Sequence, residues 1–398
     1  MIWRRWLQPT MILCAAAAAQ AWVSIIPREG DQRANALVRS PDGSLTAAGR
    51  ETRPGTWRGD LLLIHTDSLG RELWRRTVGT KRGDEEAYAL LALDDAGYLA
   101  AGGRYRDKWR VKDSVTGLIQ AFSLGGEATW SREIPGVVIR AAIRFQGGIL
   151  LGGYRRAPTH NGWLCLMDTQ GVTRWTRDLY PADSSRVDAL AALSDSTFVL
   201  AGQWKGAADQ HCAGWCVVAD AAGGILHENR CGSPVGFFRA VVIQGGSITC
   251  AGGIIAPKDA TSDDIDSFVW RADLQCQPLD SLRCKGRSLD DVDALSATDS
   301  TLVGAGVTAI PGRPGARPGV LLFSLTPDLK IRWWAPRDGV LAGAGMALVL
   351  APEGFIVAGS ARLDPEGDAD VLLLHASAAG LVEARGDPVG QPSRREKP

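Results

Sequence analysis

The chain has 398 residues, 45% of them hydrophobic and 22% charged, with 44 Lys+Arg against 44 Asp+Glu. This is the composition of a folded globular protein, and the zero formal charge excludes a strongly basic surface of the kind that holds nucleic acid or an anionic membrane. At roughly 150 residues per domain the length would suggest two or three domains, but a single repeat phase runs from residue 34 to 386 and argues for one.

The first 21 residues read as an export signal. Arg4 and Arg5 give a charged start, Met11 to Ala19 an apolar stretch, and Ala19-Gln20-Ala21 a small-residue cleavage site. The mature chain then begins at Trp22, and export implies a periplasmic or extracellular address. Cys14 raises lipidation as an alternative, although Leu13 before it is bulky. No later stretch has 18 uninterrupted apolar residues, so no spanning helix is expected.

From Trp22 onward the chain repeats. Seven apolar strands end on a small residue plus glycine, at Gly49, Gly102, Gly152, Gly202, Gly252, Gly306 and Gly359, spaced by 53, 50, 50, 50, 54 and 53 residues. A fixed period near 50 residues marks a repeat architecture. Trp22 to Ile26, followed by Asp31 and Ala34, echoes Trp74 to Val78, followed by Asp84 and Ala87. The mature amino terminus therefore reads as an extra outer strand that pairs with the last blade, whose own return strand near Leu381 to Arg385 lacks the tryptophan.

Within each period the pattern is two hairpins. In the first period Asp60 to Thr66 is a strand, Asp67-Ser68-Leu69-Gly70 a turn, and Glu72-Leu73-Trp74 the return. In the second, Ala87 to Leu93 is a strand, Asp94 to Gly97 a turn, and Tyr98 to Ala101 a strand ending at Gly102-Gly103. Asp168, Gly171 and Trp175 repeat the second hairpin in the third period, where the tryptophan is expected to pack between neighbouring blades. Four short strands per unit with frequent turn signals predict an all-β fold, a seven-bladed β-propeller of four-stranded antiparallel blades over residues 22–386. Residues 387–398 are polar and basic and read as a disordered tail.

The order strand, Gly-Gly, loop, strand, turn, Trp, as in Ile149 to Gly153 followed by Trp175, resembles the kelch repeat. Asp-x-x-Gly-x-x-x-Trp is similar to the tryptophan-docking motif of quinoprotein-like (PQQ-type) propellers. The chain also resembles secreted bacterial propeller proteins. The regularly placed Tyr of kelch repeats and the Thr-Gly pair of the quinoprotein repeat are both missing, so the resemblance implies a scaffold and carries over no catalytic residue.

In a four-stranded meander the loops between hairpins and between blades share one face, and function on a rigid scaffold concentrates there. The long loops are read as 50–59, 103–116, 153–162, 203–214, 253–267, 307–319 and 360–370. Trp57, Tyr105, Trp109, Tyr154 and Trp204 lie in or beside them, with Arg104, Arg106, Arg110, Arg155 and Arg156 nearby, a combination that binding hot spots favour. They are the candidate ligand-binding residues. Trp163, Trp215 and Trp270 are expected in the core.

No chemistry is expected from the remaining motifs. Asp259, Asp263, Asp264 and Asp266 in one loop and Asp290, Asp291 and Asp293 in a connector read as solvated acidic segments, because calcium-loop spacing is missing. The five histidines show no metal-binding pair, and no nucleophile elbow is present. Neither a metal nor a cofactor is expected. The cysteines beyond Cys14 are odd in number; Cys212 with Cys231 is the first disulfide candidate, Cys212 with Cys216 the alternative, and Cys165 reads as a buried free thiol. The functional expectation is a secreted, monomeric interaction scaffold that takes a protein or saccharide ligand on its long-loop face. The alternative is a propeller enzyme, a hydrolase or lyase, with its site at the mouth of the central channel.

Overall fold

The computed structural model describes residues 21–380 except 107–114, 157–159, 181–182, 207–208, 210, 232–234, 256–264, 285–289, 309–317, 337–341 and 365–366. Its twenty-eight strands form seven four-stranded antiparallel blades, and a single 3-10 turn, Asp94–Ala96, is the only helical element among the described residues. The protein is a seven-bladed β-propeller. Blades one to five are separate sheets. Blades six and seven are joined by one ladder pair, Gly319 with Ala342.

The seventh blade closes the ring. Trp22–Ile26 pairs antiparallel with Asp370–Ser377, Trp22 opposite His375 and Ile26 opposite Val371, so the chain's start supplies the outer strand of its last blade. The expected return strand near Leu381 and the tail 387–398 lie outside the described residues, as do residues 1–20.

The cores lie between blades. One cluster joins Leu99 and Ile119 of blade two to Ile149 and Trp163 of blade three; another joins Leu164 and Leu166 to Phe198 and Trp215. Trp163 and Trp215 are fully buried and Trp270 nearly so. The Asp that opens the second-hairpin turn acts as expected: Asp67 Oδ1 accepts from the backbone N–H of Leu69 at 2.9 Å and of Arg71 at 3.0 Å, and Asp168, Asp220 and Asp273 repeat the pattern.

The tryptophans dock across the blade seams. Trp22 lies on Gly70, Trp74 on Gly126, Trp130 on Gly171, Trp175 on Gly223 and Trp333 on Gly380. Gly171 illustrates why the partner is glycine: its φ is +81°, and a Cβ there would lie 2.8 Å from the Trp130 ring. The two remaining seams carry Cys276 and Leu329 in the same left-handed conformation. Tryptophan and glycine are thus lost together at both.

The seven repeat glycines do not end their strands. Leu45–Thr52, Tyr98–Tyr105 and Thr197–Lys205, for example, run three residues past theirs. The long loops are correspondingly shorter than the sequence suggests.

Candidate functional site

Each innermost strand carries one β-bulge. The register shifts fall between Ala34 and Ala36, Ala87 and Ala89, Ile139 and Ala141, Val187 and Ala189, Phe238 and Ala240, Val292 and Ala294, and Gly345 and Ala347. The seven extra residues are Asn35, Tyr88, Arg140, Asp188, Arg239, Asp293 and Met346. A bulge re-aims a side chain and is favoured beside functional sites.

The repeat glycines make these bulges possible. Gly49 lies opposite the bulge of blade one, and a Cβ on it would run into the carbonyl oxygen of Arg33, two residues before Asn35; the same approach recurs at Gly102, Gly202, Gly252, Gly306 and Gly359. In blade three the part is taken by Gly153, which faces the Val138 carbonyl, and not by Gly152.

Contacts between the bulge residues run from blade to blade, which places them around the central channel. Arg140 Nε donates to Asp188 Oδ1 at 3.1 Å, and its guanidinium lies 4.3 Å from the Tyr88 ring centroid. Asp188, buried at the side chain, accepts a second bond from Arg186 Nε at 2.6 Å. Arg239 Nε donates to Asp291 Oδ2 at 3.1 Å and stands 3.4 Å from Asp293 Oδ1. On the other side of the ring Glu86 is gripped by Arg33 at 2.6 and 2.7 Å and accepts from Asn35 Nδ2 at 2.7 Å and the Tyr88 hydroxyl at 2.9 Å.

These partners set the protonation states. Burial pushes the Asp188 carboxyl up, but Arg186, Arg140 and Arg239 outweigh it and hold the group below its ordinary value. Glu86 is likewise held down against burial, by Arg33 with Asn35 and Tyr88. The Asp291–Asp293 pair behaves oppositely. Burial raises Asp291, and burial together with the neighbouring Asp291 charge pushes Asp293 up to about 7, because one guanidinium serves two carboxylates. Asp291 Oδ1 is buried and has no hydrogen-bond partner.

This corrects the expectation for the acidic residues. Asp290, Asp291 and Asp293 lie in the innermost strand Asp290–Thr298, not in a solvated connector. Asp266 is in the strand Ile265–Ala272, 4% exposed and bonded by Arg283 Nε at 2.6 Å, while Asp259, Asp263 and Asp264 are outside the described residues.

The candidate aromatic residues divide into groups. Tyr105 is buried at a strand end, not exposed in a loop; its hydroxyl lies 3.3 Å from that of Tyr88. Tyr154, half-buried and 5.1 Å from the His160 ring, packs into the same cluster, so Tyr88, Tyr105 and Tyr154 gather beside Arg140. Trp57 instead lines a polar cleft of about 450 Å³ at the blade-seven to blade-one seam, with Glu29, Asp31, Arg53 and Asp368. Trp204 is in blade four with Arg230 stacked 3.6 Å from its ring. Trp109 lies outside the described residues. Of the nearby arginines, Arg104 pairs with Glu85 and Glu133 and Arg155 with Asp178, while Arg156 Nε is buried without a hydrogen-bond partner and Arg110 lies outside the described residues.

The favoured disulfide is not formed. Cys231 faces Gly214 across the hairpin, and Cys212 lies beyond the end of its strand, Ala213–Asp220, so the two are out of register; all described cysteines are free thiols. Cys165 is buried, as expected.

No family model and no curated protein matches this chain. Among solved structures it is similar to the periplasmic gluconolactonase of Pseudomonas aeruginosa, at 12% identity and TM-score 0.50 over 84% of this chain and 96% of that one. It is also similar to the β-propeller domain of the trilobed protease from Pyrococcus furiosus, described as having an open velcro topology, at 10% identity and TM-score 0.48 over 90% and 94%. Neither carries a kelch or quinoprotein name, and at these identities the likeness is one of fold.

The channel ring left one signal in the sequence. Each bulge residue stands 13 or 14 positions before its opposing glycine, Gly153 taking that place in blade three, and each is followed by alanine: Ala36, Ala89, Ala141, Ala189, Ala240, Ala294 and Ala347.

Proposed function

We propose that the protein is a binding propeller that takes a small, hydroxyl-rich ligand of saccharide type at the long-loop mouth of its central channel. The observation that carries this reading is the bulge-mounted ring, in which Arg140, Asp188, Arg239 and Asp293 meet across blades. Carboxylates that accept and guanidiniums that donate suit a ligand whose hydroxyls do both, and the half-buried Tyr154 near Arg140 offers an aromatic ring to sugar C–H surfaces. We read residues 1–21 as an export signal, which puts the ligand outside the cytoplasm; the tryptophan docks are read as scaffold, with no cofactor.

The test is calorimetry of the protein against a panel of neutral and acidic mono- and disaccharides. Binding that is lost in Arg140→Ala and Asp188→Asn but kept in Trp57→Ala supports the channel; binding lost only in Trp57→Ala moves the site to the outer cleft. No heat with any sugar refutes the reading. A hydrolase or lyase is the second reading, favoured by the raised Asp293 carboxyl beside Asp291, since a carboxyl near 7 is suited to proton transfer at neutral pH. Turnover of a glycoside or lactone panel that Asp293→Asn abolishes would establish it.

A further inference from the structure

The seam between blades four and five is one of the two that lack the tryptophan dock, and it differs from all the others in chemistry. At the position where five other blades place the docking glycine stands Cys276, with φ +60°. Its thiol is fully buried, 3.9 Å from the equally buried thiol of Cys216 in the preceding blade. The turn that carries Cys276 is tied to that blade by a bond from Asn229 Nδ2 to the Cys276 carbonyl at 2.9 Å. Cys216 also contacts Cys250, so three thiols share one apolar cluster. Cys250 and burial push the Cys216 thiol well above the ordinary range against the opposing effect of Cys276, and the contact with Cys216 together with burial pushes Cys276 up in turn, which makes both unreactive in the closed fold.

We propose that Cys216 and Cys276 form a disulfide when the chain folds under oxidising conditions, a covalent link across the seam where the tryptophan dock is missing. The oxidant is a disulfide-bearing molecule such as glutathione disulfide. While the seam is still open, one cysteine thiolate attacks a sulfur of the oxidant and expels a thiolate. The second cysteine thiolate then attacks the protein-bound sulfur of the mixed disulfide and expels the other. Two electrons pass from the cysteine pair to the oxidant, whose two thiolates take up the two protons the cysteines lost. The pairing encloses about 60 residues, a loop long enough for the link to constrain the unfolded chain strongly.

The full-length chain, refolded from denaturant in a glutathione redox buffer, is to be digested and mapped without reduction. The expected result is a peptide pair joining Cys216 to Cys276, a fall of two in the free thiols of the denatured protein, and a melting temperature about 5 °C higher than after reduction. Cys276→Gly restores the residue of the other seams and suits the positive φ, so it should fold, lose the link and lose the effect of reductant. Cys250→Ser should keep both. A fully reduced refolded protein, or Cys216 joined to Cys250 or Cys212, overturns the proposal. Should refolding fail, the same peptide map of the full chain synthesised in a cell-free system with glutathione disulfide present, so that it meets the oxidant while folding, separates these outcomes.

Discussion

The rim and the hub of this propeller obey different rules. At the rim the same apolar contact recurs at five seams, a tryptophan lying on a positive-φ glycine. At the hub seven residues hold equivalent positions and only the type of Asp188 recurs in Asp293, and of Arg140 in Arg239. Repetition at the rim follows from what every seam needs, namely apolar area removed from water. Variety at the hub has no such origin. Burying charge there costs free energy unless each group is paired, and the ring supplies partners blade by blade, so each residue type is set by the neighbours it pairs with and, under the proposed function, by the ligand.

Substitutions can break this contrast at either end. The largest effect is expected from deleting residues 22–26, which removes an outer strand and a dock together. The loss should be on the order of 5 kcal/mol or more, a large part of a typical domain's stability, and an unchanged thermal melt would refute the closure. At the hub, Asp293 ionises near 3.8 in the unfolded chain but only near 7 in the fold. Its contribution to stability is therefore complete below about pH 4, declines as pH rises to 7 and stays low above. Asp293→Asn should remove that decline and stabilise the protein at pH 8 by about 1 kcal/mol or more, measured by denaturant titration across pH. Asp188, held below its ordinary value, acts in the opposite sense and favours the fold until acid protonates it.

Smaller effects sharpen the rim. Trp130→Ala should cost roughly 2–4 kcal/mol, whereas alanine for His227, exposed at the matching strand position of blade four, should stay within about 0.5 kcal/mol. Gly171→Ala should cost roughly 1–3 kcal/mol, and less in a Trp130→Ala background, because the ring that the new methyl meets is gone. Equal losses in both backgrounds would show that backbone strain, and not the dock, selects the glycine.

The sequence reveals the rim far better than the hub, for a physical reason. Asp67, Gly70 and Trp74 act through local turn chemistry and a bulky apolar group, both visible as spacing. A bulge is visible only in cross-strand register, so Gly49 and its equivalents can be counted without showing what they make room for. Asp290, Asp291 and Asp293 read as a loop because acidic residues rarely line a buried strand. They do so here because Arg239, more than fifty residues earlier in the chain, is brought alongside. Tyr105 and Tyr154 stand out as aromatics beside long loops, while their common neighbours, Tyr88 and Arg140, are marked only by the alanine that follows each and the spacing to the opposing glycine.

The pairing of Trp22 with His375 also dictates an order of events in time. Residues that leave the ribosome first have their partner strand among those that leave last, 353 positions later, so the outer strand of blade seven must wait until nearly the whole chain exists. Contacts of such separation form slowly. A circular permutant that starts at Gln32 and carries Trp22–Ile26 after Gly380 should therefore close its ring sooner, read as a faster refolding rate.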